Sequence, residues 1–173
     1  QHKLLEGLSP DQQKLRIAKL LLEEEPFNYK NKPKGLFPFH KYGEKVVTAF
    51  EEHFREAFLY ASQGEIVNIH FTINKEYTSL FLNTLSEIRP NLEKHYGVHF
   101  EVSFSHQSES TDTVALTLDN EYFRDRNNQL LFRPAGHGAL LKNLNELNAD
   151  IIFIKNIDNV VAEAYADEAI FYK

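Results

Sequence analysis

"LLFRPAGHGALLKNLNELNADIIFIKNIDNV", residues 130–160, decides how this chain is read. Two of the seven glycines flank His137. A short apolar helical pattern follows, and an apolar run from Asp150 to Lys155 then ends in Asn156-Ile157-Asp158-Asn159. An apolar run without alternation is the pattern of a strand covered on both faces in a parallel sheet. Residues at its carboxyl end would lie in the crevice where open α/β sheets bind ligands. Gly136 and Gly138 would let backbone approach a ligand, and N–H groups at a helix start favour acceptors. Two plainer readings stay open. The glycines also suit a tight turn with a surface histidine, and Asp158 also suits a turn that caps a following helix.

Working outward, two further runs alternate as strands. Val67, Ile69, Phe71 and Ile73 share one face of Ile66–Ile73, and Val98, Phe100, Val102 and Phe104 one face of the next. Ser9, Pro10 and Gln12 form a helix start with a capping box, followed by a stripe of Leu15, Ala18 and Leu22 and a stop at Pro26. Phe27–Glu44 reads as an irregular basic loop ordered by Phe27, Tyr29, Phe37, Phe39 and Tyr42. A helix is predicted over Glu44–Ala61, with Val46, Val47, Phe50, Phe54, Ala57, Phe58 and Ala61 inward and Glu51, Glu52, Arg55 and Glu56 facing away. Asn74 would cap the next helix, which carries Leu80, Phe81, Leu85 and Ile88, is kinked or divided at Pro90, and closes at Gly97. A local hairpin is expected between Thr117-Leu118 and Leu131-Phe132, with a turn at Asn127-Asn128, and a last helix over Gly138–Leu147. Alternating strands and helices predict an α/β fold. The expected architecture is three-layer, a mainly parallel sheet of Ile66–Ile73, Val98–Phe104 and Asp150–Lys155 with helices on both faces.

The net charge of −6 argues against a nucleic-acid partner, which selects a basic face. Absence of cysteine excludes a disulfide frame and a thiolate metal cluster, and fits a reducing compartment. No apolar run approaches the roughly 18 residues of a membrane span. The expectation is a cytoplasmic protein with no membrane partner. The chain has no methionine, so residue 1 is not a natural start and a piece of a longer protein is expected.

Phosphate chemistry has two candidates. Lys32-Pro33-Lys34-Gly35 places two cations on a restrained loop, and lysine is a competent point charge for phosphate. A carboxylate such as Asp158 suits a magnesium ion that also bridges phosphates. There is no Gly-x-Gly-x-x-Gly, no Gly-x-x-x-x-Gly-Lys-Ser/Thr and no Gly-x-Ser-x-Gly. His40, His53, His70, His99 and His106 have no spacing that makes a metal site; His70 and His99 fall on polar strand faces. A hydrolase built on His137 and Asp158 lacks a third ligand.

Together these pieces resemble sugar-1-phosphate nucleotidyltransferases of the UDP-sugar pyrophosphorylase type. Those carry a Pro-x-Gly-His-Gly turn, a helix, and an apolar strand ending in Asn-x-Asp-Asn. Here the turn is Pro134-Ala135-Gly136-His137-Gly138 and the strand end Asn156-Ile157-Asp158-Asn159. Pro33-Lys34-Gly35-Leu36 is similar to the Pro-Lys closing the first motif, "VNIHFTINKEYTSLF" to the second strand and helix, and "VSFSHQ", ending at Gln107, to a Phe-x-x-Gln segment. The wording of "PKGLFPFHKYG", "EEHFREAFLYA" and "LLFRPAGHGALLKNLN" is closer still to an uncharacterised bacterial domain of unknown function related to these transferases.

The resemblance covers residues 32–161 of a single domain, 1–173, with a helix and loop over 1–31. It implies a nucleotide-diphospho-sugar transferase (GT-A-like) fold. It also implies magnesium as cofactor and a nucleoside triphosphate with a sugar-1-phosphate, or a nucleotide sugar, as partners. Gly136 and Gly138 would approach the base through backbone, with Gln107 nearby and His137 beside the base or phosphates. Asp158 would hold magnesium with Asn159 supporting it, and Lys34 would face the triphosphate. The family's glycine-rich phosphate loop is not found in this stretch and is expected upstream of Gln1, and the sugar-binding half is likewise expected outside it. The alternative is a non-catalytic domain of the same fold that binds a nucleotide sugar or a protein, because function lives in the site and not the fold.

Overall fold

The computed structural model describes residues 4–172. It is a mixed α/β structure of five α-helices and small sheets, the largest of three strands. It divides into two compact units, Gln1–Tyr60 with Lys155–Lys173, and Ala61–Ile154.

In the first unit α1 spans Pro10–Glu23 and starts with the expected capping box. The Ser9 amide donates to Gln12 Oε1 at 2.9 Å, and the Gln12 amide to Ser9 Oγ at 3.4 Å. Its apolar stripe stays uncovered: no α1 residue is buried, and Leu15 is 58% exposed. The region read as an irregular loop contains a hairpin. Strand β1, Pro38–Tyr42, pairs antiparallel with β2, Lys45–Thr48, across Gly43 at φ 59°. The β-branched run Val46-Val47-Thr48 favours strand over helix, so α2 begins late and spans Ala49–Ala61. Ala49, Phe50 and Phe54 are buried at helical spacing, and the two phenylalanine rings meet edge to face at 5.3 Å. Glu52, Arg55 and Glu56 do not face away; all three are buried. The unit closes with α5, Ala166–Phe171.

In the second unit β3, Ser62–Gln63, pairs antiparallel with β4, Ile66–Thr72, and β4 pairs parallel with β5, His99–Ser105. The register runs from Ile66↔His99 to Thr72↔Ser105. The crossover is α3, Thr78–Tyr96. Asn74 makes no side-chain cap, its amide donating to Glu76 Oε1 instead. The helix runs unbroken through Pro90. Proline removes one ladder donor, but Leu85 and Leu92 remain buried on either side. Gly97 closes the helix at φ 67°, its amide donating to the Glu93 carbonyl. That left-handed position suits glycine because it has no Cβ. Phe81 of α3 meets Phe104 at 6.4 Å, and Phe104 stacks on Phe71 at 5.9 Å.

The three-layer parallel sheet is not found. The opposite face of β4 and β5 carries Asn68, His70, Thr72, Glu101, Ser103 and Ser105. His70 bridges two of these, Nδ1 to Ser103 Oγ at 2.7 Å and Nε2 to Ser105 Oγ at 2.8 Å. Strict alternation is the mark of a sheet with one apolar face, and here it outweighs the strand–helix order. Nor is Asp150–Lys155 a buried strand. Among the described residues it joins no ladder, with Ile151 76% and Ile154 69% exposed. A hairpin forms in the expected region with different partners: β6, Thr113–Val114, pairs with β7, Phe132–Arg133, while the Thr117 amide donates to the Glu121 carbonyl, and bridges Leu116↔Tyr122 and Arg124↔Leu130 lie between the strands. Asn120, at φ 63°, turns the chain within the first bridge and Asn128, at φ 61°, within the second. The helix predicted over Gly138–Leu147 shrinks to a 3-10 turn, His137–Leu140, and α4, Leu141–Asn145. No described helix is long and apolar enough to cross a membrane.

This burial pattern predicts unequal losses. Phe54→Ala should lower stability by about 3–5 kcal/mol, whereas Leu15→Ala on the uncovered stripe should change it by about 0.5 kcal/mol or less. Urea unfolding of both variants measures the difference, and equal losses would contradict the assignment of the core.

Candidate functional site

Each unit holds one cluster of the residues singled out by sequence. In the first, Lys34 opens a 3-10 turn, Lys34–Leu36, behind Pro33. Asp158 sits in a turn closed by the Asn159 amide donating to the Asn156 carbonyl at 3.0 Å. Lys34 Nζ donates to Asp158 Oδ2 at 2.5 Å, across 124 positions of sequence. Both side chains are exposed. The Lys34 ammonium, followed by the local backbone, holds the Asp158 carboxyl below its ordinary range. Asn159 is exposed in the same turn.

Residues 155–163, which carry Asp158, are held by side chains rather than by a sheet. Glu56, 1% exposed, accepts from Lys155 Nζ, from Tyr60 Oη at 2.9 Å and from the Val161 amide at 3.3 Å. Arg55 Nη2 donates to the Val161 carbonyl. His53 Nε2 donates to the Ile157 carbonyl at 3.0 Å. Glu52, 2% exposed, is met by His40 Nδ1 at 2.8 Å, Tyr42 Oη at 2.6 Å and Arg55 Nε at 2.9 Å. Tyr42 Oη in turn accepts the Glu163 amide at 3.1 Å. Buried charges persist only when paired and hydrogen-bonded, and both carboxylates meet that condition.

The electrostatics follow from these contacts. Burial pushes the Glu56 carboxyl up, but Lys155, Tyr60 and the Val161 amide more than offset it, and its pKa lies below the ordinary value. The Tyr60 hydroxyl is pushed up by burial and by Glu56. Burial pushes the His53 imidazole down. Sequence reading missed this network. Positions 52, 55 and 56 have helical spacing of their own, but nothing in the pattern says that a charged stripe is covered.

In the second unit Gly136 precedes the 3-10 turn at φ −69°, and His137 is exposed. A Cβ at Gly136 or Gly138 would meet no atom within 4 Å, and neither has a positive φ. Among the described residues, then, neither conformation nor packing demands glycine here, and the backbone is open to close approach. The helix that follows is too short for the terminal N–H argument made from sequence. What ties the turn down is Asn143 of α4. Its buried amide donates to Ser105 Oγ at 2.9 Å and to the His106 carbonyl at 2.8 Å. Its Oδ1 has no hydrogen-bond partner among the described residues. Lys142 Nζ adds a bond to Ser108 Oγ at 3.2 Å. The Gly-His-Gly turn therefore leads into a helix anchored beside Gln107, whose Nε2 donates to Asp112 Oδ1 at 3.4 Å.

The structure thus brings Lys34 together with Asp158 and Asn159 in one unit. In the other it joins the Gly136–Gly138 turn, through α4, to the segment holding Gln107. Among the described residues no group of three or more His, Cys, Asp or Glu side chains could hold a metal ion. The chain matches the family model of a domain of unknown function (DUF4301) over residues 1–173, and it belongs to that family. No curated protein and no solved structure matches it.

The Glu56 pair generates a prediction with a definite sign. In the wild type the folded carboxyl titrates below its unfolded value, so its stabilisation is complete above the unfolded pKa. It is lost as pH falls through the folded pKa. In Lys155→Met the upward push of burial is left with less opposition and the carboxyl rises. The variant should lose about 3–5 kcal/mol near pH 7, with the deficit narrowing as pH falls below the ordinary glutamate value of about 4.3. Urea titrations across pH measure it; a deficit that does not narrow in acid would contradict the pairing.

Proposed function

We propose that this family member is a magnesium-dependent nucleotidyltransferase that joins a sugar-1-phosphate to a nucleoside triphosphate. The observation that supports this reading most is the 2.5 Å contact between Lys34 and Asp158. The two residues come from separate motifs of the resemblance to UDP-sugar pyrophosphorylases, and that resemblance assigns both to the phosphates. Gly136 and Gly138 are not demanded by conformation or packing among the described residues, which leaves their backbone open as the resemblance implies.

The donor set was tested against magnesium. Asp158 offers one exposed carboxylate, a hard oxygen donor, and among the described residues it belongs to no group of three or more His, Cys, Asp or Glu that could hold a metal ion. One carboxylate does not make a resident metal site. It does suit magnesium, which keeps several waters and is bound through one or two carboxylates plus substrate phosphates. With the nucleotide bound, the ion would offset charge on the phosphate oxygens.

The steps left to the protein are positioning and charge. An oxygen of the sugar-1-phosphate attacks the α-phosphorus, a new P–O bond forms, and the bond to pyrophosphate breaks. Lys34, drawn from Asp158 to the phosphates, neutralises charge on the leaving group. Asn159 supports Asp158. The resemblance gives Gly136, Gly138 and Gln107 to the base and His137 to the base or phosphates. The phosphate nucleophile is already an anion, so no general base is needed, and rate comes from alignment and electrostatic stabilisation.

A second reading, a non-catalytic domain that binds a nucleotide sugar, is favoured by the lack of a group of three or more metal-ligating side chains among the described residues. The test is to titrate the complete polypeptide carrying this chain with UTP, ATP, CTP and GTP plus magnesium, then measure pyrophosphate release over a panel of sugar-1-phosphates. Binding without release would select the second reading. On an active protein, Asp158→Asn should cut turnover about a hundredfold or more, roughly 2.7 kcal/mol, while stability holds within about 1 kcal/mol. An active Asp158→Asn protein would sink the metal role.

A further inference from the structure

We propose that His53 is a positioning residue for Asp158, acting through the peptide bond between Ile157 and Asp158. The proposal rests on the reading that Asp158 works at the phosphates, but its geometry stands without it. The His53 ring bonds the Ile157 carbonyl at 3.0 Å. A carbonyl only accepts, so His53 must carry its proton on Nε2. A peptide unit is planar, so the oxygen of residue 157 and the Cα of residue 158 lie in one plane. Fixing that oxygen orients the plane from which the Asp158 side chain departs.

The neighbouring bonds show why this one matters. The chain is gripped before the turn at Lys155 by Glu56, and after it at Val161 by Arg55 and Glu56. Between those grips the turn makes its own bond from the Asn159 amide to the Asn156 carbonyl. The His53 contact reaches the turn's interior from α2, beside the residue whose carboxylate meets Lys34. The charged groups acting on the ring are Glu56 and Lys155, and burial together with Lys155 keeps the imidazole pKa below its ordinary value. A neutral ring suffices for the bond, because one ring nitrogen of a neutral imidazole is a donor.

Arg55 and Glu56 cannot separate positioning from stability, since removing either strands a buried charge. His53 can. His53→Gln keeps an N–H donor of similar reach, His53→Leu keeps volume without a donor, and His53→Ala removes the donor without adding volume. The decisive measurement is amide hydrogen exchange at Asn159. In the leucine variant, or in the alanine variant should leucine fail to fold, exchange should quicken about three- to tenfold, the worth of one hydrogen bond. Amides of α2 should keep wild-type rates, and glutamine should restore slow exchange at Asn159. In an active protein the donor-free variants should lose turnover, up to about a hundredfold, with KM for the nucleotide within about twofold. Wild-type exchange at Asn159 without the donor, or a glutamine variant no better than leucine, would overturn the proposal. A wild type that releases no pyrophosphate while the exchange pattern holds would remove nucleotidyl transfer and leave the positioning role standing.

Discussion

A carboxylate buried on α2 organises the first unit. Glu56 is 99 positions from Lys155 and 105 from Val161, and it bonds both. Residues 155–163 belong to no ladder among the described residues, so no sheet fixes their path. Every buried backbone N–H and C=O still needs a partner. The Val161 amide and carbonyl find theirs in Glu56 and Arg55, and the Ile157 carbonyl in His53. Burying such a carboxylate is unfavourable unless its oxygens are satisfied. That same cost makes the arrangement specific, because a displaced segment would take Lys155 and the Val161 amide away from a buried charge.

Glu52 extends the constraint to the hairpin. It joins His40 and Tyr42 of β1 to Arg55 of α2, and Arg55 passes on to Val161. The hairpin, the helix and the late segment therefore share one polar network beside an apolar core of Phe50 and Phe54. Networks of this kind are high-stakes: fully satisfied they fix one structure, and partly satisfied they cost more than an apolar core would.

What could be read from sequence was local. The capping box at Ser9 and Gln12, the individual segments β4, α3 and β5, and the left-handed end at Gly97 all follow from residues within a few positions of one another. Asp150–Lys155 failed because an apolar run states only that burial would be favourable, not that a partner strand exists. The alternation of β4 and β5 already carried the contrary information, a sheet with one polar face. In the candidate site, Lys34 and Asp158 were legible as residue types suited to phosphate, and their contact needed the fold. Asn143 was invisible. A buried asparagine in a short helix has no pattern, and its role appears only with the Ser105 hydroxyl and the His106 carbonyl in place.

The two clusters share a construction. In each, a helix side chain donates to a carbonyl of an irregular segment: His53 to Ile157, and Asn143 to His106. Function often sits on loops carried by a rigid scaffold, and a loop without ladder partners takes its precision from such bonds. Gly136 and Gly138 then keep their open backbone because the anchoring is done further along, at Asn143, and not at the turn. Asp158 likewise leaves its carboxylate to Lys34 because the Ile157 carbonyl, and not the side chain, carries the anchor. Separating the group that holds from the group left free keeps the Lys34–Asp158 pair and the Gly136–Gly138 backbone exposed while the backbone beneath them stays fixed. That is the preorganisation the proposed transfer, relying on positioning and charge, would require.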